Sequence, residues 1–446
     1  PHVKIIRMFD YGGASRIVRN AVKLGMGYAD AAQVYIRNFE YAYRAYSMEF
    51  NSFSNVFTYV RLWKNGVWRI FSCNSDKFSD MYGKADVSSS TYISGLNVDM
   101  AEQKPVRGTY LVGDEEFPSE ESVKEIFSDI VNALKIFEKN GRLEVILNCI
   151  SENKFMYNSD GSSFIHSKTT YELYSYVVVG NRSIGEYVAY TNIDSLRSSI
   201  NRILDSIAEK LNALKKTRYL NPFYKHSRFD VILDPYCSGA LFHEIVHMLE
   251  ADRVYLSGGR SPVGSRVFPR SITVIDDPYV PSAVGSFIVD DEGVKASPRK
   301  LIEDGVIVDL LHNRWTAKLF KSEKAGNARG LSIPPRPMQS NLVVKPGDWR
   351  VDEIIEETKE GFLLIGLERG ELRRNSIAIY PELTLYIKDG ETRENVILER
   401  ILIPIPGSLR KIDAVSRNRG YRSSVEKGFP MSEVAPYIRI RRAVVE

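Results

Sequence analysis

The sequence predicts an α+β protein, with an N-terminal mixed α/β domain built on an antiparallel sheet and a strand-rich C-terminal domain, barrel-like or a sandwich. Three observations predict this class. Runs of alternating apolar residues fill both halves, two long amphipathic segments occur only in the first, and Gly- and Pro-containing turn signals punctuate the second. A basic, polar stretch from Asn221-Pro222 to Arg228 indicates a linker, so we expect domains at 1–220 and 221–446.

The first half alternates between strand and helix patterns. Apolar residues at helical spacing predict a helix at 14–24 that ends before Gly25. Asn65-Gly66, between two apolar runs, predicts a tight hairpin. Two long helices are expected at 119–141, with Ser119 as N-cap, and at 194–216. The expected strands cover residues 28–38, 40–50, 57–63, 66–72, 144–153, 154–159, 171–180 and 185–191.

The second half opens with a short apolar strand at 229–234 that leads directly into a helix at 235–250. Asp234 suits the N-cap of that helix, and Pro235 suits its first position. One further short helix is expected at 351–361, and strands and turns fill the remainder. The C-terminal domain is therefore predicted to be mostly β, with one helix of chemical interest.

Composition narrows the class of protein. The 446 residues carry a formal net charge of +4, which is too small to indicate nucleic-acid binding. Three cysteines suit a reducing compartment better than a disulfide framework. The first residues contain no apolar leader, and no run approaches the roughly 18 apolar residues of a spanning helix. We expect a cytoplasmic protein with no membrane and no nucleic-acid partner.

The chemical signal is His243-Glu244-Ile245-Val246-His247 on the predicted helix. Two histidines four residues apart project from one helical face, so both imidazoles can reach one Zn²⁺. Glu244, beside the first histidine, is placed to act as general base toward a metal-activated water. With six histidines in the chain, this spacing is improbable by chance. The alternative is that both are ordinary, partly buried helix residues.

The third metal ligand is ambiguous in the sequence. Glu250 follows His247 by three residues, but it is about 10 Å along the helix from His243, which favours a role in orienting His247 or pairing with Arg253. His312 is the best remote histidine, although a structural role at a turn is at least as reasonable. Cys237 lies about 120° round the helix from His243, which disfavours it.

The chain resembles the TldD/PmbA family over nearly its whole length. The segment VILDPYCSGALFHEIVHMLEAD is similar to the family's strand, Asp-Pro turn and His-Glu helix. Further similar stretches are GMGYADAAQVYIR (25–37), SITVIDDPYV (271–280), the region 290–317, the Arg-, Pro- and Asn-containing loop 326–348, RKIDAV (410–415) and GFPMSEVAPYIRIR (428–441).

This resemblance implies a TldD-like zinc metallopeptidase of two domains that acts on unfolded or short peptides. It also implies a homodimer, or a heterodimer with a sister subunit that lacks the metal site. The family's older label, modulator of DNA gyrase, does not require DNA binding. Arg329 or Arg336, in the matching loop, can then bind a substrate carboxylate or stabilise an oxyanion, although each can equally be an ordinary surface arginine.

Two departures from the family pattern concern the metal. The family usually has six-residue His-Glu-x-x-x-His, whereas His243 and His247 are only four apart. TldD proteins also supply a cysteine shortly before the stretch matching GFPM, where this chain has Ser423 and Ser424. A neutral hydroxyl is a poorer zinc ligand than a thiolate. Either another group completes the site, or the chain is a non-catalytic, peptide-binding or partner subunit with a degenerate metal site.

Overall fold

A computed structural model describes residues 9–81, 86–92, 98–219, 224–258 and 260–445, with backbone only for 86–92. The helices are α1 (Tyr11–Lys23), α2 (Glu120–Leu134), α3 (Ile193–Leu214), α4 (Pro235–His247), α5 (Ala251–Leu256), α6 (Arg314–Phe320) and α7 (Val351–Glu356). No helix in these ranges has both the length and the apolar character needed to cross a bilayer.

The first half forms an eight-stranded sheet in which every pairing is antiparallel except that between β5 and β7. Its strands are β1 (Tyr28–Arg44), β2 (Ser47–Lys64), β3 (Val67–Cys73), β4 (Asp86–Tyr92), β5 (Arg107–Val112), β6 (Arg142–Asn158), β7 (Ser163–Val179) and β8 (Arg182–Tyr190). The order is β4-β3-β2-β1-β6-β7-β5, with β8 beside β7. The expected antiparallel sheet is confirmed.

The two long helices cover one face of this sheet, as their amphipathic patterns predict. The apolar side of α2, including Phe127 and Val131, joins a core with Ile203 and Ile207 of α3 and apolar residues of β1, β6, β7 and β8. Ser119 caps α2 by accepting a hydrogen bond from the Ser122 amide at 3.2 Å. Helix α2 is shorter than expected, because its last turn tightens into a 3₁₀ turn at Lys135–Phe137.

The predicted strand at 40–50 is wrong, because a hairpin turn divides it. β1 ends at Arg44 and β2 begins at Ser47, and both turn residues, Ala45 and Tyr46, have positive φ angles. The alternation of apolar and polar residues runs through this turn without the Gly or Asn that usually marks it. The Asn65-Gly66 hairpin between β2 and β3 is confirmed, again with two positive φ angles.

The second half is built on a continuous fourteen-stranded mixed sheet. Its strands are β9 (Thr217–Tyr219), β10 (Arg228–Leu233), β11 (Val274–Asp276), β12 (Arg299–Glu303), β13 (Val306–Ile307), β16 (Asn341–Val344), β17 (Glu360–Ile365), β18 (Arg369–Arg373), β19 (Ser376–Tyr380), β20 (Leu383–Lys388), β21 (Glu391–Ile397), β22 (Ile401–Pro404), β23 (Ile412–Glu426) and β24 (Phe429–Val445). A separate pair joins β14 (Ala328–Arg329) to β15 (Arg336–Pro337). The strand-rich C-terminal half is thus confirmed.

Strand β10 lies at the centre of this sheet, parallel to β17 and antiparallel to β24. The chain leaves β10 at Leu233 and enters α4 at Pro235, so the sheet fixes where the helix starts. Leu241, Phe242 and Ile245 of α4 belong to the main core of this half. Strand β9, which precedes the predicted boundary at 220, pairs with β21 of this second sheet. The domain division itself stays a prediction, and Asn221-Pro222 lies outside the described residues.

Candidate metal centre

Helix α4 begins where the sequence predicts and is buried almost all round. The Asp234 carboxylate accepts hydrogen bonds from the amides of Cys237 and of Gly366, each at 2.8 Å. The first bond caps the helix, and the second attaches that cap to the end of β17. Eleven of the thirteen helical residues are buried. The two histidines therefore do not lie on an ordinary solvated face.

His243 and His247 face each other across one helical turn. Their ring centroids are 4.8 Å apart, and the ring planes are inclined by 82°. One ligand atom from each of His243, Glu244 and His247 lies within 4.8 Å of the others, an arrangement that can hold a metal ion. Within the described ranges, this trio is the one such convergence of three or more His, Cys, Asp or Glu side chains.

Each histidine is oriented by a buried carboxylate at its Nδ1 atom. His243 Nδ1 lies 2.7 Å from Glu433 Oε1, and His247 Nδ1 lies 2.6 Å from Glu250 Oε1. A carboxylate only accepts, so each Nδ1 is the donor in its contact, and Nε2 is the ring nitrogen left for another partner. A carboxylate behind an imidazole is the usual outer arrangement of a metal-binding histidine.

Gln339 also lies beside His243, with its amide nitrogen 2.6 Å from Nδ1. The Nδ1 atom carries one proton and can make one strong donor bond. We assign that bond to Glu433, because a hydrogen bond to an ionised acceptor is about twice as strong as a neutral one. The Gln339 amide is then turned end for end, so that Oε1, which otherwise lacks a partner among the described residues, faces this N–H in place of the donor Nε2.

Glu433 has its own support beneath the helix. Arg422 Nη1 and Ser424 Oγ each donate to its carboxylate at 2.9 Å. Burial alone would raise the pKa of Glu433, but the Arg422 guanidinium and the His243 and Ser424 hydrogen bonds hold that pKa below its ordinary value. Room for this carboxylate comes from Gly239, since a Cβ atom there would meet Glu433 Cβ at 3.1 Å.

Glu250 is held by two arginines. Arg253 Nε lies 2.8 Å from Glu250 Oε2, and Arg336 Nη2 lies 3.5 Å from the same oxygen. Arg336 also donates from Nε to Asp252 Oδ2 at 2.8 Å. Two of the interactions considered for Glu250 in the sequence, with His247 and with Arg253, are thus present. Arg336 contacts carboxylates of the protein itself, at the position where a substrate carboxylate was expected.

The predicted extent of the helix, 235–250, is wrong at its C-terminal end. Helix α4 ends at His247, Met248 is its C-cap, and Glu250 is the N-cap of α5. The chain turns because Glu250 forms a β-bridge with Leu311 and the Ala251 amide donates to Leu311 O at 3.1 Å. Glu250 therefore reaches His247 from a following turn instead of from the same helical face.

Glu244 lies beside the pair of histidines and is only partly buried. The Leu372 amide of β18 donates to Glu244 Oε2 at 3.0 Å, which fixes the carboxylate and leaves the other oxygen for a further partner. Gly370, on the same strand, permits this close approach: a Cβ atom there would lie 3.2 Å from Ala240 Cβ and 3.8 Å from Glu244 Cγ. The carboxylate is oriented by backbone and still accessible.

The other candidate ligands lie elsewhere. His312 Nδ1 contacts Thr316 Oγ1 at 3.2 Å, and burial together with Arg299 lowers the pKa of His312 to about 3. Ser423 Oγ bonds both the amide and the carbonyl of Ala189, so its hydroxyl joins β23 to β8. Ser424 bonds Glu433 and so supports His243 indirectly. None of the three belongs to the converging trio.

Glu433, Gln339 and Arg422 were not identified from the sequence. His243 and Glu433 are 190 residues apart, so no local spacing links them. One signal was available: Glu433 lies within GFPMSEVAPYIRIR, a stretch already noted for its resemblance. A buried acidic residue in such a segment is a candidate histidine partner.

Comparison with known proteins finds a family match over the half of the chain that contains the candidate metal centre. The sequence profile of the PmbA/TldA metallopeptidase C-terminal domain matches residues 226–446. A metalloprotease of Methanocaldococcus jannaschii is 37% identical over 198 residues, 43% of this chain and 44% of that protein. A metalloprotease of Archaeoglobus fulgidus is 27% identical over 407 residues, 86% of this chain and 91% of that one.

A zinc metalloprotease TldD homologue of Saccharolobus solfataricus is 28% identical over 262 residues, 55% of this chain and 57% of its own. The matched regions thus span about half of several relatives, among them the one from M. jannaschii. Among solved structures, TldE from Thermococcus kodakarensis has a TM-score of 0.73 at 19% identity, covering 97% of this chain and 99% of that one. At this identity the likeness concerns the fold.

Proposed function

This chain belongs to the TldD/PmbA family, and from that premise we propose that it is a zinc-dependent peptidase. His243 and His247 bind the metal through Nε2, and Glu244 is the general base. The substrates are unfolded or short peptides. The working unit is a dimer, formed with a second copy or with a sister subunit of the family.

The observation that carries this proposal is the pair of carboxylates behind the histidines. Ordinary helix histidines have no need of two buried acidic partners at Nδ1, whereas metal-binding histidines usually have them. With Glu433 and Glu250 at the two Nδ1 atoms, Nε2 is the nitrogen of each ring that is left for a metal, and the two rings lie 4.8 Å apart. The names of several relatives, including the zinc metalloprotease TldD homologue, support the same metal and reaction class.

Zinc, when bound, supplies a Lewis acid that activates water and polarises the peptide carbonyl. Glu244 takes up the proton of the attacking water through the oxygen that does not accept from Leu372. The same carboxyl group then donates that proton to the amine nitrogen as the carbon–nitrogen bond breaks. The Leu372 amide keeps the carboxylate in place through both transfers.

Glu426 is our candidate for the missing third ligand. It ends β23, next to the position where the family's cysteine is expected. Partial burial would raise the pKa of Glu426, but the Lys427 salt bridge and the charges of His247 and His243 lower that pKa. Glu426 is not one of the three converging side chains, so its carboxylate would have to leave Lys427 and move toward the rings to bind the metal. A carboxylate oxygen is an ordinary zinc ligand in a site with two histidines.

The test measures metal content and peptide cleavage on the same preparations. We expect near-stoichiometric zinc in the parent and its loss in His243→Ala and His247→Ala. Glu244→Gln retains zinc and loses cleavage of an unstructured peptide by at least about 100-fold, since a general base contributes 10²–10⁴. Cleavage by Glu244→Gln at the parental rate contradicts the assigned base. If Glu426 is the third ligand, Glu426→Gln should bind less zinc than the parent. The matched control, Lys427→Gln, changes the neighbouring residue and should bind zinc like the parent.

A second candidate function is a non-catalytic partner subunit with a degenerate site, and the absence of the family's cysteine favours it. That reading predicts no zinc retention in the parent, no peptide cleavage alone, and a stable complex with a catalytic sister subunit. If the parent binds zinc and His243→Ala binds it more weakly, the site is not degenerate and this second function is contradicted.

A further inference from the structure

A cavity of about 290 Å³ lies between the first sheet and the loops of the second half. We call it the arginine cavity and define it by six of its lining residues: Glu152, Lys154, Lys168, Phe287, Arg329 and Phe429. The first three belong to β6 and β7, and the others come from the C-terminal half. Its lining combines charged and aromatic side chains, as ligand sites do.

Arg329 is the unusual group in this cavity. Its side chain is almost completely buried, with 7% of the residue exposed. The guanidinium lies between two aromatic rings, 4.7 Å from the centroid of Phe287 and 5.0 Å from that of Phe429. Within the part of the chain that the structure describes, its buried Nη1 has no hydrogen-bond partner. An arginine remains charged in proteins, so this buried donor lacks the acceptor that such groups normally have.

The other charges in the cavity are largely used by the protein. Lys154 pairs with Asp291, whose second oxygen accepts from the Gly330 amide at 2.8 Å. Lys168 donates to Val284 O at 2.5 Å, and burial together with the Arg329 charge lowers the pKa of Lys168 to about 7. Burial also lowers the pKa of Arg329, and nearby carboxylates, Asp291 first, only partly offset that effect. Arg329 therefore remains the cation available to a ligand.

We propose that the arginine cavity is a subsite that binds one carboxylate group of a peptide, with Arg329 as its donor. A carboxylate matches the planar guanidinium and can accept two of its N–H groups. Four acidic side chains also line the cavity, Glu152, Glu172, Asp290 and Asp291. They repel a doubly charged phosphate more strongly than a singly charged carboxylate, and carboxylates can accept from the N–H groups of a peptide. The volume suits one or two residues.

Two hairpins connect residues of the cavity with residues around the metal centre. Arg329 is the cross-strand partner of Arg336, the residue that contacts Glu250 behind His247. Phe429, over Arg329, begins β24 three residues after Glu426. A peptide whose carboxylate occupies this subsite is thus held by hairpins that also carry residues of the metal centre. This inference rests on the proposed peptidase function for its choice of ligand, although binding can be measured without cleavage.

The test compares peptide binding to Glu244→Gln protein, which does not turn the ligand over. One unstructured peptide is prepared in three forms: the free acid, the C-terminal amide, and an amide carrying one Asp near its end. We expect the free acid to bind about 10- to 100-fold more tightly than the neutral amide, the range for one charge-assisted hydrogen-bonded pair. Tight binding of the Asp-containing amide identifies a side-chain carboxylate as the ligand instead of the terminus.

Arg329→Met, made in the same background, should abolish the preference for a carboxylate without lowering the melting temperature, because it removes an unpaired buried charge. Lys295→Met is the matched control: Lys295 is exposed and forms a β-bridge with Val289, which lines the cavity, so the change removes the same charge nearby and should keep the preference. Equal binding of all three peptides, or a preference that survives Arg329→Met, overturns the proposal. A lower melting temperature with an unchanged preference shows a purely structural arginine.

The two proposals fail in different ways. If the parent cleaves acid and amide peptides at the same rate and binds them with the same affinity, the proposed peptidase function is supported and the proposed carboxylate subsite is refuted. If the acid binds through Arg329 but no peptide is cleaved, the subsite stands and the catalytic proposal falls.

Discussion

Replacing Glu433 by Gln tests whether the carboxylates behind the histidines serve a metal. The change keeps the shape of the side chain and removes its charge. Glu433 accepts from His243 at 2.7 Å, from Arg422 at 2.9 Å and from Ser424 at 2.9 Å, all at a fully buried position. The variant loses the anion that orients His243 and increases its basicity as a ligand.

The magnitude follows from this geometry. Loss of such an outer partner typically weakens metal binding by about 10- to 100-fold, or about 1.4 to 2.7 kcal/mol. Glu250→Gln should act similarly on His247, because its 2.6 Å contact is equivalent. The two carboxylates act on different rings of one metal site, so the double variant should lose at least as much affinity as either single variant.

The assay is competition for zinc between the protein and a chromophoric chelator at fixed pH, with the folded state checked by circular dichroism. Glu303→Gln, a charge deletion at an exposed position, is the control and should bind zinc like the parent. The reasoning is refuted if Glu433→Gln remains folded and its zinc affinity, with that of Glu250→Gln, stays within twofold of the parent.

Two further substitutions test the close packing at Gly239 and the buried carboxyl group of Glu292. Gly239→Ala should lower both the melting temperature and the zinc affinity, because its Cβ would meet Glu433 Cβ at 3.1 Å; normal values for both would contradict the close approach. Burial raises the pKa of Glu292 to about 8, so the folded protein holds a proton that the unfolded chain releases near its ordinary pKa of 4.5. The parent should therefore lose free energy of unfolding between about pH 4.5 and 8, and Glu292→Gln should lose less; an equal loss in parent and variant between pH 5 and pH 8, measured by denaturant titration, would contradict this assignment.

Local patterns in the sequence predicted those parts of the fold that depend on local chemistry. The cap at Asp234, the start of α4 at Pro235 and the hairpin at Asn65-Gly66 all follow from residue type and spacing. The turn at Ala45-Tyr46 could not be predicted, because neither residue type favours a positive φ angle. Hydrogen bonds from the rest of the sheet impose it.

In the candidate site, too, local spacing could be predicted from the sequence, whereas contacts between distant residues could not. The helical spacing of α4 predicted that His243, Glu244 and His247 lie together. The end of the helix depends on the β-bridge between Glu250 and Leu311, which are 61 residues apart in the sequence. Arg336, for which the sequence left open a ligand contact or an ordinary surface role, contacts Asp252 and Glu250. These contacts are tertiary, so the helical period carries no information about them.

The central claim is that Nε2 of His243 and Nε2 of His247 bind one zinc ion. X-ray absorption at the zinc edge of the loaded protein, with anomalous diffraction from its crystals, tests it most directly. The account predicts one zinc per chain, with nitrogen ligands at about 2.0–2.1 Å from both rings. Zinc bound elsewhere, or through Nδ1 with Glu433 and Glu250 displaced, would contradict it.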